Sequence, residues 1–333
     1  MKNILFIIAA LMLVSCGNHE KTESRRTYSN KTTSSAPYEL LVVANKEWLK
    51  TPSGTVLTDV VTSEIPGLPQ IEPSFRMTAI NPASFNNTFK VYANIITAEV
   101  NKKYKVPELK IVRDVYARPQ IIMTICAPDN AAFVKLVSEN KENILDIFTE
   151  AELAREREYL RRTHSGKVLT QARKQFGCTI YAPKDISALK AGQDFFWASS
   201  DGRDNKLNVC IYSYPYTSTE TFTLDYFLQK RDSFMMENIK GAHDNQYMST
   251  DHRSVMSRNR EFDGRFVQEV RGLWQMENDM MGGPFVSYAQ VDTVNNRVIV
   301  AEGFVYAPEK SKREFIREME ASIQTLVLPR KKQ

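Results

Sequence analysis

Short apolar runs alternate with segments of helical periodicity in the first half of the chain. Apolar residues at helical spacing predict a helix over 55–65, which ends at Pro66-Gly67. The same spacing predicts a longer helical region from Phe133 through the charged segment 152–158. β-Strands are predicted at the apolar runs 40–43, 75–80, 89–97, 109–115 and 120–126.

In the second half, the strands follow one another more closely. Short polar turns separate them at Asp201-Gly202, Asp263-Gly264 and Asn295-Asn296. Strands are predicted at 195–199, 207–214, 253–262, 265–276, 285–291 and 297–305, and helices at 168–176, 222–239 and 309–326. Because short turns join neighbouring strands in antiparallel fashion, this half is predicted to be α+β, with helices packed over a meander.

The pattern as a whole predicts an α+β protein with two α/β-sandwich-like domains and mainly antiparallel sheets. We expect the domain boundary within Thr163-His164-Ser165-Gly166, after the long helical region. The predicted segments are a lipoprotein signal peptide (1–15), a lipidated cysteine with a flexible tether (16–37), an N-terminal α+β domain (38–165) and a C-terminal α+β domain (166–330).

The first residues have the pattern of a secretory signal. Lys2 precedes an apolar run from Ile4 to Val14, which is too short for a membrane span of about 20 residues. The run ends in Leu-Val-Ser-Cys, which resembles the lipobox of bacterial lipoproteins. We therefore expect Cys16 to be lipidated and to anchor the chain to the outer membrane, facing the periplasm because no acidic cluster follows it.

Charge and composition argue against nucleic acid as a partner. The chain has 44 Lys and Arg against 39 Asp and Glu, a formal net charge of +5, and the two signs are interspersed. A nucleic-acid-binding protein normally shows one-sided basicity and a recognition motif, and a secreted chain does not meet nucleic acid.

The cysteines leave one question open. With Cys16 lipidated, Cys126, Cys178 and Cys210 remain, and no pair has the spacing of a redox or zinc motif. Cys178 and Cys210 lie in strand-like runs that could be neighbours in a sheet. A disulfide between them and two buried free thiols are both consistent with the sequence.

No catalytic or metal-binding pattern emerges from the polar residues. His243-Asp244 and Asp251-His252 form a loose pair of doublets whose spacing fits no usual metal site, and a solvated loop explains them better. Ser165 adjoins His164 without the turn of a nucleophilic serine. We therefore expect no enzyme activity, no metal and no cofactor, with a hydrolase around His243 and Asp251 as the least favoured alternative.

Aromatic residues form the most suggestive candidate surface. Tyr212, Tyr214 and Tyr216 alternate along one predicted strand, and Phe195 and Trp197 alternate along its expected partner, so that each set shares a face. Such a face could stack on a glycan or receive a partner's side chain. A covering helix, with the rings as packing, is the alternative.

Two resemblances bear on function. The chain resembles a family of Bacteroidota lipoproteins of unknown function in its Leu-Val-Ser-Cys start, the strand 40–44 followed by Trp48, and the region from Gly272-Leu273-Trp274 to Gly283-Pro284-Phe285. Residues 176–328 are similar in element order to the Mog1/PsbP-like fold, whose members mostly bind proteins or assist assembly. We therefore expect a non-catalytic binding or scaffold module of the cell envelope. The alternative is a lipoprotein that binds a glycan or peptidoglycan fragment on the aromatic face or in a cleft between the domains.

Overall fold

The computed structural model describes residues 31–202 and 205–330. The predicted signal peptide, the lipidation site Cys16 and most of the predicted tether lie outside these residues. In the described part, no helix is both long and apolar enough to cross a membrane. The described strands form two separate sheets, each covered by helices, which confirms the predicted α+β class.

The first sheet has five strands in the order β2-β1-β3-β5-β4. They are β1 (Glu39–Val43), β2 (Arg76–Ile80), β3 (Asn94–Val100), β4 (Glu108–Arg113) and β5 (Ile121–Ala127). Strand β1 pairs in parallel with β2 and β3, β3 pairs in parallel with β5, and β4 is antiparallel to β5. This sheet is therefore mostly parallel, although seven of the ten strand pairings in the described residues are antiparallel, as predicted for the molecule.

Helices account for the parallel pairing in the first sheet. The connection from β1 to β2 contains α1 (Lys46–Leu49) and α2 (Pro52–Val61), which carry the chain back to the starting end of the sheet. Helix α2 begins where the Thr51 side chain accepts the Gly54 N–H. Helices α3 (Asn130–Glu139) and α4 (Lys141–Thr163) join α2 over the same core, with Leu57, Phe133 and Phe148 buried in it.

One predicted strand of this half is partly wrong. Residues Phe89–Val91 form a 3₁₀ turn, and β3 begins only at Asn94. Phe89 and Tyr92 pack with Ile95 on the sheet face opposite to the helices. The apolar pattern there marks a cover for that face and not an extension of the strand.

The second sheet is fully antiparallel and has the order β6-β7-β8-β12-β11-β10-β9. Its strands are β6 (Ile186–Gly192), β7 (Phe195–Ser200), β8 (Lys206–Pro215), β9 (Met248–Phe262), β10 (Arg265–Met276), β11 (Gly282–Asp292) and β12 (Arg297–Tyr306). The predicted meander is present as β9 to β12. Strand β9 forms one outer edge of the sheet and pairs only with β10.

Helices cover both faces of the second sheet. Helices α5 (Gly166–Phe176) and α7 (Arg313–Gln324) pack on one face, and α6 (Leu224–Asn238) packs on the other. Cys178 belongs to the first of these cores and Cys210 to the second. The three described cysteines are free, so the disulfide alternative for Cys178 and Cys210 is wrong, because the sheet separates the two thiols.

Helix α7 connects the two halves. It begins at Arg313 and not at residue 309, and the buried Glu72 carboxylate of the first half accepts the backbone N–H groups of Lys312 (2.6 Å) and Arg313 (3.0 Å). Further along, Leu153 and Leu160 of α4 pack against Ala321 of α7. The two halves are therefore joined by both a helix cap and an apolar contact.

Candidate binding site between the two sheets

A cavity of about 680 Å³ lies between the two halves, next to the contact of α4 with α7. We call it the interdomain cavity. Its C-terminal wall, formed by the second half of the chain, has Met256 and Ser257 beside six charged residues, which are Arg258, Arg260, Glu269, Arg271, Arg317 and Glu320. Its N-terminal wall, formed by the first half of the chain, includes four acidic side chains and one basic side chain among polar and apolar residues such as Leu145 and Leu153. The charged residues of this wall are Glu64, Glu142, Asp146, Glu150 and Arg113.

The strand register assembles the C-terminal wall. Arg258 of β9 lies opposite Glu269 of β10, and Met256 lies opposite Arg271. Because side chains alternate along a strand, Arg258 and Arg260 point to the same face as Glu269 and Arg271. Helix α7 lies over this face and contributes Arg317 and Glu320, which pair at a spacing of three residues.

Glu269 is the centre of a buried ion-pair network. Its carboxylate accepts from Arg271 Nε at 2.6 Å, from Arg260 Nη1 at 3.1 Å and lies 3.1 Å from Arg258 Nη2. Burial by itself would raise the pKa of Glu269, but the charges of Arg271, Arg258 and Arg260 outweigh it and lower the pKa to about 2. The carboxylate is therefore ionised across the physiological range.

A second buried carboxylate extends the network into α7. Glu320 accepts from Arg271 Nη2 and, at 2.7 Å, from Arg317 Nη1. Burial alone would raise the pKa of Glu320, but Arg271 and Arg317 keep it below its usual range. The C-terminal wall of the cavity thus carries two ionised carboxylates paired with arginines.

Guanidinium groups outnumber carboxylates in this network. Four arginines (258, 260, 271 and 317) face two carboxylates, Glu269 and Glu320, which leaves two positive charges in excess. The Nε atom of Arg317 is buried and has no hydrogen-bond acceptor among the described residues. The Arg258 side chain is 52% exposed and the Arg260 side chain 27% exposed, so both can reach a molecule in the cavity.

The opposite wall has the opposite charge. Glu64, Glu142 and Asp146 are exposed, and Glu150 pairs with Arg157. Glu142 and Asp146 lie one helical turn apart at the start of α4, so they present their charge on the same side of the helix. A molecule in the cavity meets a basic wall on one side and an acidic wall on the other.

The predicted aromatic face is present but is not open. Phe195 lies opposite Tyr212, and the rings of Phe195, Tyr212 and Tyr214 are buried. Phe234 and Tyr226 of α6 cover them, with ring centroids 5.0 Å apart for Tyr212–Phe234 and 5.8 Å apart for Tyr214–Tyr226.

The other two residues of this face are half-buried. Trp197 donates to Asn208 at 2.9 Å, and the ring of Tyr216 contacts that of Phe222. The five residues belong to one apolar cluster. An accessible ligand or partner face is wrong at Phe195, Tyr212 and Tyr214, because helix α6 packs on these buried rings. Trp197 and Tyr216 keep part of their surface exposed.

His243, Asp251 and His252 each have a separate hydrogen-bonding partner. His252 Nε2 lies 2.7 Å from Asp232, Asp251 pairs with Arg253, and the backbone N–H of His243 donates to Gln246. In the described part of the chain, no group of three or more His, Cys, Asp or Glu residues is placed to hold a metal ion.

Ser165 has a structural position beside His164. Its hydroxyl donates to the carbonyl of Ile186 at 2.6 Å and accepts the N–H of Val168 at the start of α5. It therefore acts as a helix cap. The His164 ring instead lies beside the Tyr181 ring in a tilted arrangement, with ring centroids 4.7 Å apart.

Each half of the chain matches a protein family. Residues 33–161 match the family described as "Domain of unknown function (DUF8532)", and residues 165–325 match "Domain of unknown function (DUF4837)". No curated protein matches the chain. The chain is therefore similar to two families whose function is unknown.

Six solved protein chains also match. One is a protein of Bacteroides thetaiotaomicron that is 13% identical, with a TM-score of 0.21, over 46% of this chain and 46% of that chain. The chain thus spans less than half the length of that protein.

Proposed function

We propose that this protein is a membrane-anchored lipoprotein that acts without catalysis as a binding module in the assembly or maintenance of the cell envelope. The observation that carries the binding role is the interdomain cavity, whose charged walls come from both halves of the chain. The anchor rests on the signal-like start and on Cys16. Placement in the outer membrane facing the periplasm is part of the same proposal.

The anchor is tested by substitution of Cys16. Cells that produce the wild-type chain or Cys16→Ala are fed radiolabelled palmitate, and the label on the purified protein is measured. We expect label on the wild type and none on the variant, with the wild type in the outer-membrane fraction. Equal labelling of the two chains, or a wild type found only in soluble fractions, contradicts the anchor.

The binding role is tested in the same cells by cross-linking. We expect one envelope component to be recovered with the wild type, to be lost with Cys16→Ala, and to be reduced with Arg258→Gln, which alters the cavity wall. The matched control is Arg253→Gln, whose side chain is 88% exposed on the same strand and does not line the cavity. Recovery of the wild-type protein alone contradicts the role.

The fold analogy of the second half supports a protein-binding role. We infer a Mog1/PsbP-like arrangement from element order, in which a hairpin (β7–β8) and a helix (α6) precede the meander (β9–β12) and a final helix (α7). This remains an analogy of topology and transfers no site.

Binding of a glycan or peptidoglycan fragment is the alternative. The aromatic face that suggested it is covered by α6, so the interdomain cavity is its remaining location. None of the side chains that line the cavity is aromatic. Since sugar rings are commonly held by stacking on aromatic side chains, the cavity favours a charged ligand over a neutral glycan.

A further inference from the structure

We infer that the interdomain cavity binds a short peptide in extended conformation, with its terminal carboxylate at Arg258 and Arg260 and its amino group towards the acidic wall. This inference rests on the proposed binding role and names the chemical class of the ligand. Three independent features of the cavity carry it.

The first feature is the excess of guanidinium groups on the C-terminal wall. Glu269 and Glu320 occupy only part of the donors that four arginines offer. Arg258 and Arg260 are the two of these arginines that belong to the edge strand β9, and both reach the cavity. Guanidinium donors bind a planar carboxylate through paired and charge-assisted hydrogen bonds.

The second feature is the acidic wall opposite. Glu142 and Asp146 are exposed at the start of α4 and line the same cavity as Arg258. They would repel a phosphate or a multiply charged anion, whereas they attract an ammonium group. The two walls together favour a molecule with a negative charge at one end and a positive charge at the other.

The third feature is the open edge of the second sheet. Strand β9 has 15 residues and pairs only with β10, so within the described residues no strand occupies its outer edge. The segment of β9 that lines the cavity, Met256 to Arg260, lies on this edge. Its free backbone groups can pair with an added peptide strand, which a small zwitterion without a peptide backbone cannot use.

The apolar side chains of the cavity fit a peptide as well. Leu145 and Leu153 from α4 and Met256 from β9 line the cavity together with the acidic and basic groups. Apolar contacts of this kind receive alternate side chains of an extended ligand, while the charged ends fix its direction.

The inference is tested by equilibrium dialysis of the purified full-length chain in detergent against a degenerate mixture of linear tetrapeptides. Retained peptides are identified by mass spectrometry. Parallel mixtures carry an acetylated amino terminus or an amidated carboxyl terminus, and inorganic phosphate and a chitin oligosaccharide serve as probes of other ligand classes. The variants are Arg258→Gln and Asp146→Asn, with Arg253→Gln and Glu158→Gln as controls on the same strand and the same helix.

We expect a subset of the unmodified peptides to be retained and both blocked mixtures to bind more weakly. Arg258→Gln should weaken retention by at least about tenfold, because a hydrogen bond to a charged group contributes this much to affinity. The control variants Arg253→Gln and Glu158→Gln should bind as the wild type does. Arg258 is half-exposed, and Glu269 keeps Arg260 and Arg271 as partners, so this variant is expected to fold.

Three outcomes overturn the inference. These are retention of no peptide, equal retention of amidated peptides, and binding of only phosphate or the oligosaccharide. None of them removes the proposed binding role, because the cross-linking experiment detects a partner whatever its chemistry. Conversely, peptide retention without any cross-linked envelope component supports the ligand class and contradicts the envelope partner.

Discussion

Arg231 and Glu302 form an ion pair from which solvent is fully excluded. The Arg231 Nη2 and Nε atoms of α6 donate to the Glu302 carboxylate of β12 at 2.7 Å and 3.0 Å, and neither side chain is exposed. Arg231 also lies over the Phe285 ring, 3.9 Å from its centroid. Thr250 accepts from Arg231 and Ser287 donates to Glu302, both at 2.7 Å, so the pair is well satisfied by hydrogen bonds.

Breaking this pair should destabilise the second half strongly. Arg231→Met leaves Glu302 as a buried charge without its cation, and we expect it to lower the free energy of unfolding by about 3–5 kcal/mol. The double variant Arg231→Met/Glu302→Leu should cost less than the sum of the single variants, because no charge is then left alone. Urea denaturation of the four chains measures the coupling, and additive costs would contradict the pair's role.

Acid should lower the stability of the folded protein through protonation of Glu269 in the cavity wall. The pKa of Glu269 is lowered to about 2, so its contribution to stability is present above its usual pKa of 4.5 and is lost as the pH falls through about 2. We expect the wild type to lose stability as the pH falls from 4.5 to about 2. The Glu269→Gln variant should be less stable at pH 4.5, and its stability should fall less steeply with pH. Thermal melting across this pH range is the measurement, and equal slopes for the two chains would contradict the assignment.

The ionisation of Glu318 in α7 should make the folded protein less stable as the pH rises, which is opposite to the effect of Glu269. Burial, and then the charges of Glu156 and Asp185, raise its pKa from 4.5 to about 7. The folded state therefore favours the protonated acid, and ionisation reduces stability as the pH rises from 4.5 through about 7. We expect Glu318→Gln to raise the melting temperature at pH 8 and to change it little at pH 4. A variant less stable than the wild type at pH 8 would contradict this.

Gly303 allows α7 to approach β12 closely. A Cβ at this position would lie 2.5 Å from the Cβ of Met319, so we expect Gly303→Ala to lower stability by about 1–3 kcal/mol. The matched control is Gly166→Ala in the first turn of α5, where a Cβ meets nothing within 4 Å. It should raise stability by about 0.4–1 kcal/mol, because alanine has fewer unfolded conformations. Denaturant titration measures the free energy of unfolding of both variants. Similar changes in the two would contradict the close contact of Gly303 with Met319.

The thiols of Cys178 and Cys210 should be inert in the folded protein. Burial raises the pKa of Cys178 to about 12 and that of Cys210 well above its usual range. We expect no maleimide labelling of either cysteine under native conditions, with or without prior reduction, and labelling of both in denaturant. Labelling in denaturant that requires a reductant would instead reveal a disulfide.

The sequence alone determined most elements of the second half. The turns at Asp263-Gly264 and Asn295-Asn296 joined neighbouring strands, and a short turn leaves antiparallel pairing as the only outcome. Alternation also placed Tyr212 and Tyr214 on one face of their strand. The sequence also contained a signal for the charged wall that our sequence analysis missed. Glu269 and Arg271 alternate with their neighbours so that they share their side of β10 with the buried Val267.

Only the tertiary structure decided what each face meets. Periodicity reveals that a strand has an apolar side, but it does not reveal whether a helix covers that side, and α6 closes the aromatic face. The contact of Glu72 with Arg313 joins residues 241 positions apart, and the interdomain cavity depends on the packing that this contact fixes. Such partners have no local signature, because their proximity results from the packing of the whole chain and not from the spacing of its residues.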